Sequence, residues 1–305
     1  MNGIESETLP PDAVAKLRAA ANETAAETIG DSLTAYGLAK RRRERRRRIV
    51  RGTVGLAVVL IAWQVMAVAY NLQQILPPPL VVAQTIINTL TLHYGQRWLY
   101  GPNIYEHLGA SFLRAVSGFA VASALAIPLG LLVGRIRSVR EYVDPVIRSL
   151  YPIPGIAWIP LAILWFGLGN TAVIFVVFIA EFFPLYFNTE AGARNINPIL
   201  VDAARCFGAA RFTLFRRVIL PASIPYIITG MRIALGGAWR MIVAGEMLAS
   251  QTGIGSVLME SRFQFRANDL MMAMILISIV GYTTERLLIG TLEKKTTQKW
   301  EVKLL

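Results

Sequence analysis

The sequence predicts an all-α membrane protein with about six transmembrane helices. Apolar residues make up 54% of the 305 residues, and the mean hydropathy is +0.49, a composition typical of a membrane-embedded chain. Six apolar runs are long enough to cross a bilayer as a helix, which takes about 20 residues each. They lie near residues 53–71, 109–133, 142–166, 170–189, 221–249 and 270–291.

The segment before these runs, residues 1–50, is predicted to be a cytoplasmic and largely disordered extension. It begins with polar and acidic residues, lacks the apolar core of a cleavable signal peptide, and ends in the basic block KRRRERRRRIVR at 40–51. A basic block directly before a spanning helix indicates contact with anionic lipid on the cytoplasmic side. The alternative is an arm that binds RNA. Because the block has no interleaved aromatic residues, we expect no nucleic-acid partner.

The basic residues also predict the orientation of the spans, since cytoplasmic connections carry an excess of Lys and Arg. With the basic block inside, the connections after the second and fourth runs and the C-terminal segment also fall inside. These inside segments hold Arg135, Arg137, Arg140, Arg194, Arg205, Arg211, Arg216, Arg217, Lys294, Lys295, Lys299 and Lys303. The outside connections hold only Arg97, Arg262 and Arg266. Both termini are therefore predicted to be cytoplasmic, and residues 51–305 to form a single transmembrane domain.

Three prolines interrupt the third apolar run, namely Pro152, Pro154 and Pro160. Proline breaks the hydrogen-bond ladder of a helix, and the freed backbone groups must face protein or a water-filled cavity inside a bilayer. This region is therefore predicted to line a transport path or its gate. A simple packing kink is the alternative.

The connection between the fourth and fifth runs, residues 190–221, is predicted to form a compact pair of short helices. Asn197 and Pro198 suit the N-cap and the first turn of a helix, and Gly208 can end it. A second short helix after Gly208 is expected to stop at Pro221. A rigid knob held by two spanning helices suits a contact that transmits motion from another protein. An amphipathic helix pair at the lipid headgroups is the alternative.

Charged side chains within the apolar runs are functional candidates, because a charge in a bilayer is costly. They are Arg114, Arg148, Arg232, Arg240, Glu181 and Glu246. Since the planar fork of arginine suits an oxyanion, Arg240 and Arg232 are predicted to line a path for an anion. The alternative for Arg240 is a structural pair with an acid such as Glu181 or Glu246.

Other features of the runs have plainer interpretations. Arg114 and Arg148 lie near predicted span ends, where their side chains could extend to the interface. Gly130 and Gly134 are spaced for close helix packing. Close helix packing is also the default interpretation of the pair Gly236-Gly237, and a contact with a pore or with a second copy of the chain is the alternative.

Motifs for catalysis and cofactor binding are absent from the sequence. It contains no glycine-rich phosphate loop ending in Gly-Lys-Ser or Gly-Lys-Thr, so we expect no ATP site on this chain. With a single cysteine, Cys206, and two histidines, His93 and His107, we also expect no metal site and no intramolecular disulfide. No catalytic residues are predicted.

An ordered series of short motifs between residues 76 and 300 resembles the permeases of the nitrate, sulfonate, taurine and bicarbonate branch of ATP-binding-cassette (ABC) importers. Each motif alone is weak, but their order along the chain is specific. The series includes Leu76-Pro77-Pro78-Pro79, Pro152-Ile153-Pro154, Trp165-Phe166-Gly167-Leu168-Gly169, Asp202-Ala203-Ala204 with Gly208, Leu220-Pro221, Gly230-Met231-Arg232, Ala238-Trp239, Glu246-Met247 and Gly253-Ile254-Gly255. Residues 1–50 are not covered by the resemblance.

The resemblance implies a type I ABC importer permease fold and roles for particular residues. The 190–221 loop would dock on an ATPase subunit through Asp202, Ala203, Ala204, Arg205, Gly208, Leu220 and Pro221. Asp202 stands where the family usually has Glu. The translocation path would be lined by Arg240, Arg232, Glu246, Pro152, Pro154 and Trp239.

The resemblance also implies partners and a location. The chain would lie in the inner membrane as a homodimer, with ABC ATPase subunits that bind ATP and Mg²⁺ and a periplasmic or lipid-anchored substrate-binding protein. It would itself catalyse no reaction, and its cargo would be a small anion such as nitrate, a sulfonate, taurine, bicarbonate or a similar organic acid. Two alternatives stay open: a secondary transporter or channel driven by an ion gradient, and a membrane scaffold that acts through the basic tail.

Overall fold

The structure, a computed structural model, describes residues 50–69, 75–91 and 103–296, together with positions 40, 43, 44, 46 and 47. The tail predicted to be disordered, residues 1–39, lies outside the described residues. The chain divides into two units, Met1–Tyr70 and Asn71–Leu305. In the first unit, helix α1 (Val50–Ala69) is long and apolar enough to cross a membrane, as the first apolar run predicts.

The described residues of the second unit form helices and their connections, with no β-strand. Its helices are α2 (Pro79–Leu90), α3 (Ile104–Arg135), α4 (Arg137–Leu150), α5 (Ile159–Phe166), α6 (Asn170–Arg194), α7 (Pro198–Cys206), α8 (Arg211–Leu214), α9 (Leu220–Ala249), α10 (Ile254–Phe263) and α11 (Ala267–Thr296). Across both units, the described residues include five helices that are long and apolar enough to span a membrane, or six spans if the bent pair α4 and α5 counts as one. The predicted all-α membrane fold is therefore confirmed.

Helices α3, α6 and α9 form the core of the second unit, and small residues let their backbones approach closely. A Cβ atom on Gly130 would lie 2.9 Å from the backbone oxygen of Tyr186 in α6. A Cβ atom on Gly134 would lie 2.8 Å from the backbone oxygen of Glu190, also in α6. The predicted packing role of these two glycines is therefore confirmed, since any larger side chain would push α3 away from α6.

The third apolar run is bent by 92° between α4 and α5. Pro152 and Pro154 lie in the break, where the chain leaves the helical path before a 3₁₀ turn at Gly155–Trp158. Pro160 does not break the run as expected. It lies in the first turn of α5, where an N–H group has no intrahelical partner and proline is tolerated.

Candidate functional site

The connection between α6 and α9 folds as a compact projection, and we call its residues 195–219 the knob. The side chain of Asn197 accepts a hydrogen bond of 3.0 Å from the N–H of Ile199, so it caps α7 as predicted. Pro198 occupies the first turn of α7. After α7 ends, Gly208 adopts a φ of +76°, a conformation that favours glycine.

The knob has a small apolar core of its own. The buried side chains are Ile196, Val201, Leu214 and Ile219. Ala204 and Phe215 pack against this cluster and are partly buried. Contact among apolar side chains from α7, α8 and the following turn holds the two short helices in one arrangement.

The outer surface of the knob exposes large apolar side chains. Phe207 is 91% exposed, and Ile199 and Phe212 are each more than 70% exposed. Asp202 and Arg205 form an exposed ion pair of 3.6 Å one turn apart on α7. Such a pair adds little stability, so its groups remain available to a partner. Exposed apolar residues on a structured projection indicate a contact surface, either for another protein or for the membrane.

The prediction that Pro221 stops the second short helix is wrong. Helix α8 continues through a π-helical turn, Phe215–Ile219, into α9, so that Arg211–Ala249 is one helical run. In this turn the N–H of Leu220 donates to the carbonyl oxygen of Phe215, five residues back. The turn changes the hydrogen-bond spacing directly before Pro221, which has no N–H to donate. The knob is thus continuous with a spanning helix.

A buried polar cluster lies at the other end of the second unit, where α3 and α6 begin and α9 ends. Nη1 of Arg114 is 2.6 Å from Oε1 of Glu246, and the two side chains are 3% and 0% exposed. Glu246 also accepts hydrogen bonds from Ser111 Oγ at 2.8 Å and from the N–H of Gly255 at 2.9 Å. The carboxylate of Glu246 is therefore fully engaged inside the protein.

Arg114 uses its remaining donors to join three parts of the chain. Its Nε and Nη2 atoms donate to Oδ1 of Asn170, which begins α6, at 2.9 and 2.6 Å. Its Nη1 and Nη2 atoms donate to the backbone oxygen and Oγ1 of Thr252, both at 2.6 Å. We call Arg114, Glu246, Ser111, Asn170 and Thr252 the Arg114 cluster. It connects α3, α6, α9 and the loop before α10.

This cluster changes two sequence-based expectations. Arg114 does not extend to the interface but is buried among hydrogen-bond acceptors. Glu246 was expected to line the path, but its buried carboxylate accepts hydrogen bonds from Arg114 and Ser111. The cluster also explains why the first residue of the Gly253-Ile254-Gly255 motif is glycine. A Cβ atom on Gly253, where φ is +110°, would lie 2.2 Å from Oε1 of Glu246, so no other residue fits.

The arginines of α9 lie on a different side of the helix from its packed face. Arg232 and Arg240 are exposed, whereas Gly230 and Gly245 face α6. Trp239 is not beside them: it is 7% exposed, and a Cβ atom on Gly281 of α11 would lie 3.2 Å from its ring. A Cβ atom on Gly236 or Gly237 would meet no atom of the described residues within 4 Å, so none of them packs against this part of α9.

No acid among the described residues pairs with Arg240. Glu246 belongs to the Arg114 cluster, and neither oxygen of Glu181 has a hydrogen-bond partner in the described part of the chain. The other candidate, Arg148, does not simply extend to the interface. Its Nε atom is 2.7 Å from Oδ2 of Asp144 in the same helix.

The bend between α4 and α5 lies close to Arg240 along α9. A Cβ atom on Gly155, the residue after Pro154, would lie 3.1 Å from the side chain of Met241. Pro152 and Pro154 are themselves exposed. The bend in the third run therefore lies next to the part of α9 that contains Arg240, which a shared path would require.

Glu181 is the one fully buried acid of α6 that the sequence singled out, and it has 0% exposure. It lies four residues after Val177, which faces Gly118 of α3, and four before Leu185, which faces Gly230 of α9. At 1.5 Å per residue, it is about 16 Å from the start of α6. It therefore lies deep in the three-helix core. Within the described residues, no three His, Cys, Asp or Glu side chains come together as a metal site.

Comparison with known proteins gives a consistent result. A family model described as the inner-membrane component of binding-protein-dependent transport systems matches residues 126–298. The taurine transport permease of Escherichia coli K12 is 33% identical over 75% of this chain and 82% of its own length. The bicarbonate transport permease of Synechococcus elongatus is 31% identical over 86% of this chain and 95% of its own. The nitrate import permease of Synechocystis is 31% identical over 78% of this chain and 86% of its own length.

Among solved structures, a chain of the inward-facing MetNI methionine ABC transporter is similar to this one with a TM-score of 0.52. The match covers 63% of this chain and 94% of that chain at 19% sequence identity. At this identity the likeness concerns the fold, and it agrees with the type I importer permease fold expected from the sequence motifs.

Proposed function

This chain belongs to the family of inner-membrane components of binding-protein-dependent transport systems, and we propose that it is the permease subunit of an ATP-driven importer for a small anion. The observation that carries the proposal is the knob, a structured projection with exposed Phe207 that is continuous with α9. A transport subunit without an ATP site needs such a contact to receive motion from an ATPase.

The coupling proposal follows from the continuity of the helices. Residues 190–221 join α6 to α9, and the single helical run Arg211–Ala249 contains both Arg240 and the second short helix of the knob. A displacement of the knob would therefore move the exposed face of α9 as a rigid element. In this proposal Asp202, Ala203 and Arg205 present α7 to the ATPase subunit, which holds ATP and Mg²⁺.

The path proposal rests on the cost of charge in a bilayer. An arginine on the exposed side of a spanning helix cannot face lipid tails at low cost, so we place Arg240 and Arg232 against water or a second copy of the chain. Pro152 and Pro154 belong to the same path because the bend lies against Met241. Positive potential there favours an anion, and the relatives named for taurine, nitrate and bicarbonate support this substrate class.

The remaining assignments complete the proposal. The protein is a multi-pass inner-membrane protein, and we place both its termini and the knob in the cytoplasm because basic residues accumulate on that side. The basic block would contact anionic lipid. A second copy of the chain and an external substrate-binding protein would complete the importer, and the chain itself would catalyse no reaction.

The proposal is tested by purifying the chain together with any ABC ATPase and substrate-binding protein that are encoded by neighbouring genes. We expect stoichiometric ATPase subunits and, in proteoliposomes, uptake of radiolabelled taurine, sulfonate, nitrate or bicarbonate that requires ATP and the binding protein. Uptake driven by an ion gradient without ATPase subunits would instead identify a secondary transporter. An intact chain with neither ATPase subunits nor uptake would favour a scaffold.

Arg240 provides a residue-level test of the path. Replacing Arg240 with Gln is expected to lower anion uptake at least about tenfold, because a positive charge on the path is lost. Arg240→Lys should keep part of the uptake, since the charge remains while the bidentate fork is lost. Assembly with the ATPase and basal ATP hydrolysis should be unchanged in both. Arg262→Gln, at an exposed position in α10, serves as the control. Normal uptake by Arg240→Gln would exclude Arg240 from the path.

A further inference from the structure

A groove between α9 and α11 contains Arg232, which the proposed path includes, and Arg286, which neither the proposed coupling nor the proposed path uses. It has a volume of about 290 Å³ and is lined by Arg232, Tyr282, Glu285, Arg286, Ile289 and Gly290. Its charged side chains are two arginines and one glutamate, so the lining carries a net positive charge. A groove of this size accommodates the phosphate part of a larger molecule.

The two arginines lie at similar distances from the ends of their helices that are predicted to be outside. At 1.5 Å per helical residue, Arg232 is about 26 Å from Ala249, the end of α9, and Arg286 is about 29 Å from Ala267, the start of α11. Both distances approach the thickness of the hydrocarbon core, which is about 30 Å. With the cytoplasmic termini proposed above, the groove therefore lies at the cytoplasmic boundary of the bilayer.

Tyr282 holds the guanidinium of Arg286 in place. Nη1 of Arg286 donates to Tyr282 Oη at 2.9 Å, and Cζ of Arg286 lies 5.9 Å from the centre of the Tyr282 ring. A guanidinium oriented in this way presents its remaining N–H groups as a fork, the geometry that suits phosphate. Tyrosine is also a residue that favours the membrane interface.

Apolar side chains continue from the groove toward the middle of the bilayer. Ile279 lies one turn before Tyr282 on α11 and is 53% exposed, and Ile233 lies beside Arg232 on α9 and is 51% exposed. The surface therefore changes from cationic at the boundary to apolar at greater depth. This order matches a phospholipid, whose phosphate lies at the boundary and whose acyl chains extend inward.

We propose that this groove binds the phosphate of an anionic phospholipid of the cytoplasmic leaflet, through Arg232 and Arg286. The interaction would be separate from the basic block at residues 40–51. It depends on the orientation of the chain but not on the identity of the transported anion.

The test uses the full-length chain, with any subunits that co-purify, in nanodiscs of phosphatidylcholine and phosphatidylglycerol at four to one. The phosphatidylglycerol retained by the protein after detergent extraction is counted by native mass spectrometry. We expect enrichment over the bulk ratio, and a loss of at least about tenfold in the double variant Arg232→Gln/Arg286→Gln, because two cations act on one phosphate. Arg262→Gln should retain the enrichment.

A steric variant keeps the proposal testable if the charge variants do not fold. A Cβ atom on Gly290 meets no atom within 4 Å, so Gly290→Leu should fill the groove without displacing the packed helices. It should lose the lipid as the double variant does, with both arginines present. Equal enrichment in wild type, double variant and Gly290→Leu would overturn the proposal.

Competition distinguishes lipid from transported anion. Taurine or sulfate at millimolar concentration should leave the bound phosphatidylglycerol in place. Displacement by these anions, together with loss of uptake by the double variant in pure phosphatidylcholine, would assign the groove to the transport path instead. Absence of ATPase subunits from the purified chain would refute the proposed transport function but leave the lipid measurement valid.

Discussion

Replacing Glu246 with Met is expected to destabilise the protein by about 3–5 kcal/mol, because it leaves the buried Arg114 guanidinium without a countercharge. The substitution also removes the acceptor of Ser111 Oγ and of the Gly255 N–H. The measurement is the free energy of unfolding of the detergent-solubilised chain by denaturant or heat. Replacing both Arg114 and Glu246 with apolar residues should recover part of the loss, since no uncompensated charge then remains.

Glu181 is the matched control for this result. It is as buried as Glu246, at 0% exposure, but its carboxyl group has no hydrogen-bond partner among the described residues. Glu181→Met should therefore keep or raise the stability, by about 1–3 kcal/mol, because it removes an unsatisfied buried polar group. The two substitutions make the same chemical change at the same burial. Equal destabilisation by both would show that the Arg114 cluster is not what makes Glu246 important.

The second large effect is expected at the knob, where Gly208→Val should uncouple the permease from its ATPase. Gly208 has a φ of +76°, and a side chain in the left-handed region costs about 1–2 kcal/mol, more for a β-branched residue. A Cβ atom there meets no atom within 4 Å, so the change strains the backbone between α7 and α8 without disturbing the core. We expect normal insertion but at least about a tenfold loss in ATPase affinity and in ATP-driven uptake.

Gly208→Asn separates strain from the mere addition of a side chain. Asparagine tolerates the left-handed region, so this variant should keep most of the coupled uptake. Binding of the ATPase is measured by co-purification, and coupling by uptake per hydrolysed ATP. If valine and asparagine behave alike, the loop geometry is not what the partner recognises. Unchanged uptake in Gly208→Val would remove the knob from the coupling mechanism.

Local patterns in the sequence predicted much of the fold. Five apolar runs correspond to long apolar helices, and the Asn197-Pro198 pair begins α7 where a cap and a first-turn proline suggest. The interruption at Pro152 and Pro154 is a real bend of 92°. These predictions depend on residues within one or two turns of each other. The order of motifs then identified the family, which the comparisons confirm.

Two local inferences about prolines were wrong for a shared reason. Pro160 was expected to break a helix and Pro221 to stop one, yet Pro160 lies in the first turn of α5, and Pro221 follows the π-helical turn inside the run Arg211–Ala249. The effect of a proline depends on the backbone that precedes it. At Pro221 this is a π-helical turn, whose spacing the residue pattern does not reveal.

The sequence by itself determined the fold class, the spans, the two-helix knob and the family, because hydropathy, caps and motifs are properties of neighbouring residues. Only the tertiary structure decided which charged residues within the spans are paired, which are buried and which are exposed. Arg114 and Glu246 are 132 residues apart and form a buried pair, whereas Arg240 is exposed on α9. The carboxyl group of Glu181 is buried and has no hydrogen-bond partner within the described part of the chain. The free-energy cost of a charged side chain within a span depends on the groups that pack against it. Those groups come from helices that are distant in the sequence, so the sequence pattern around the charge does not reveal them.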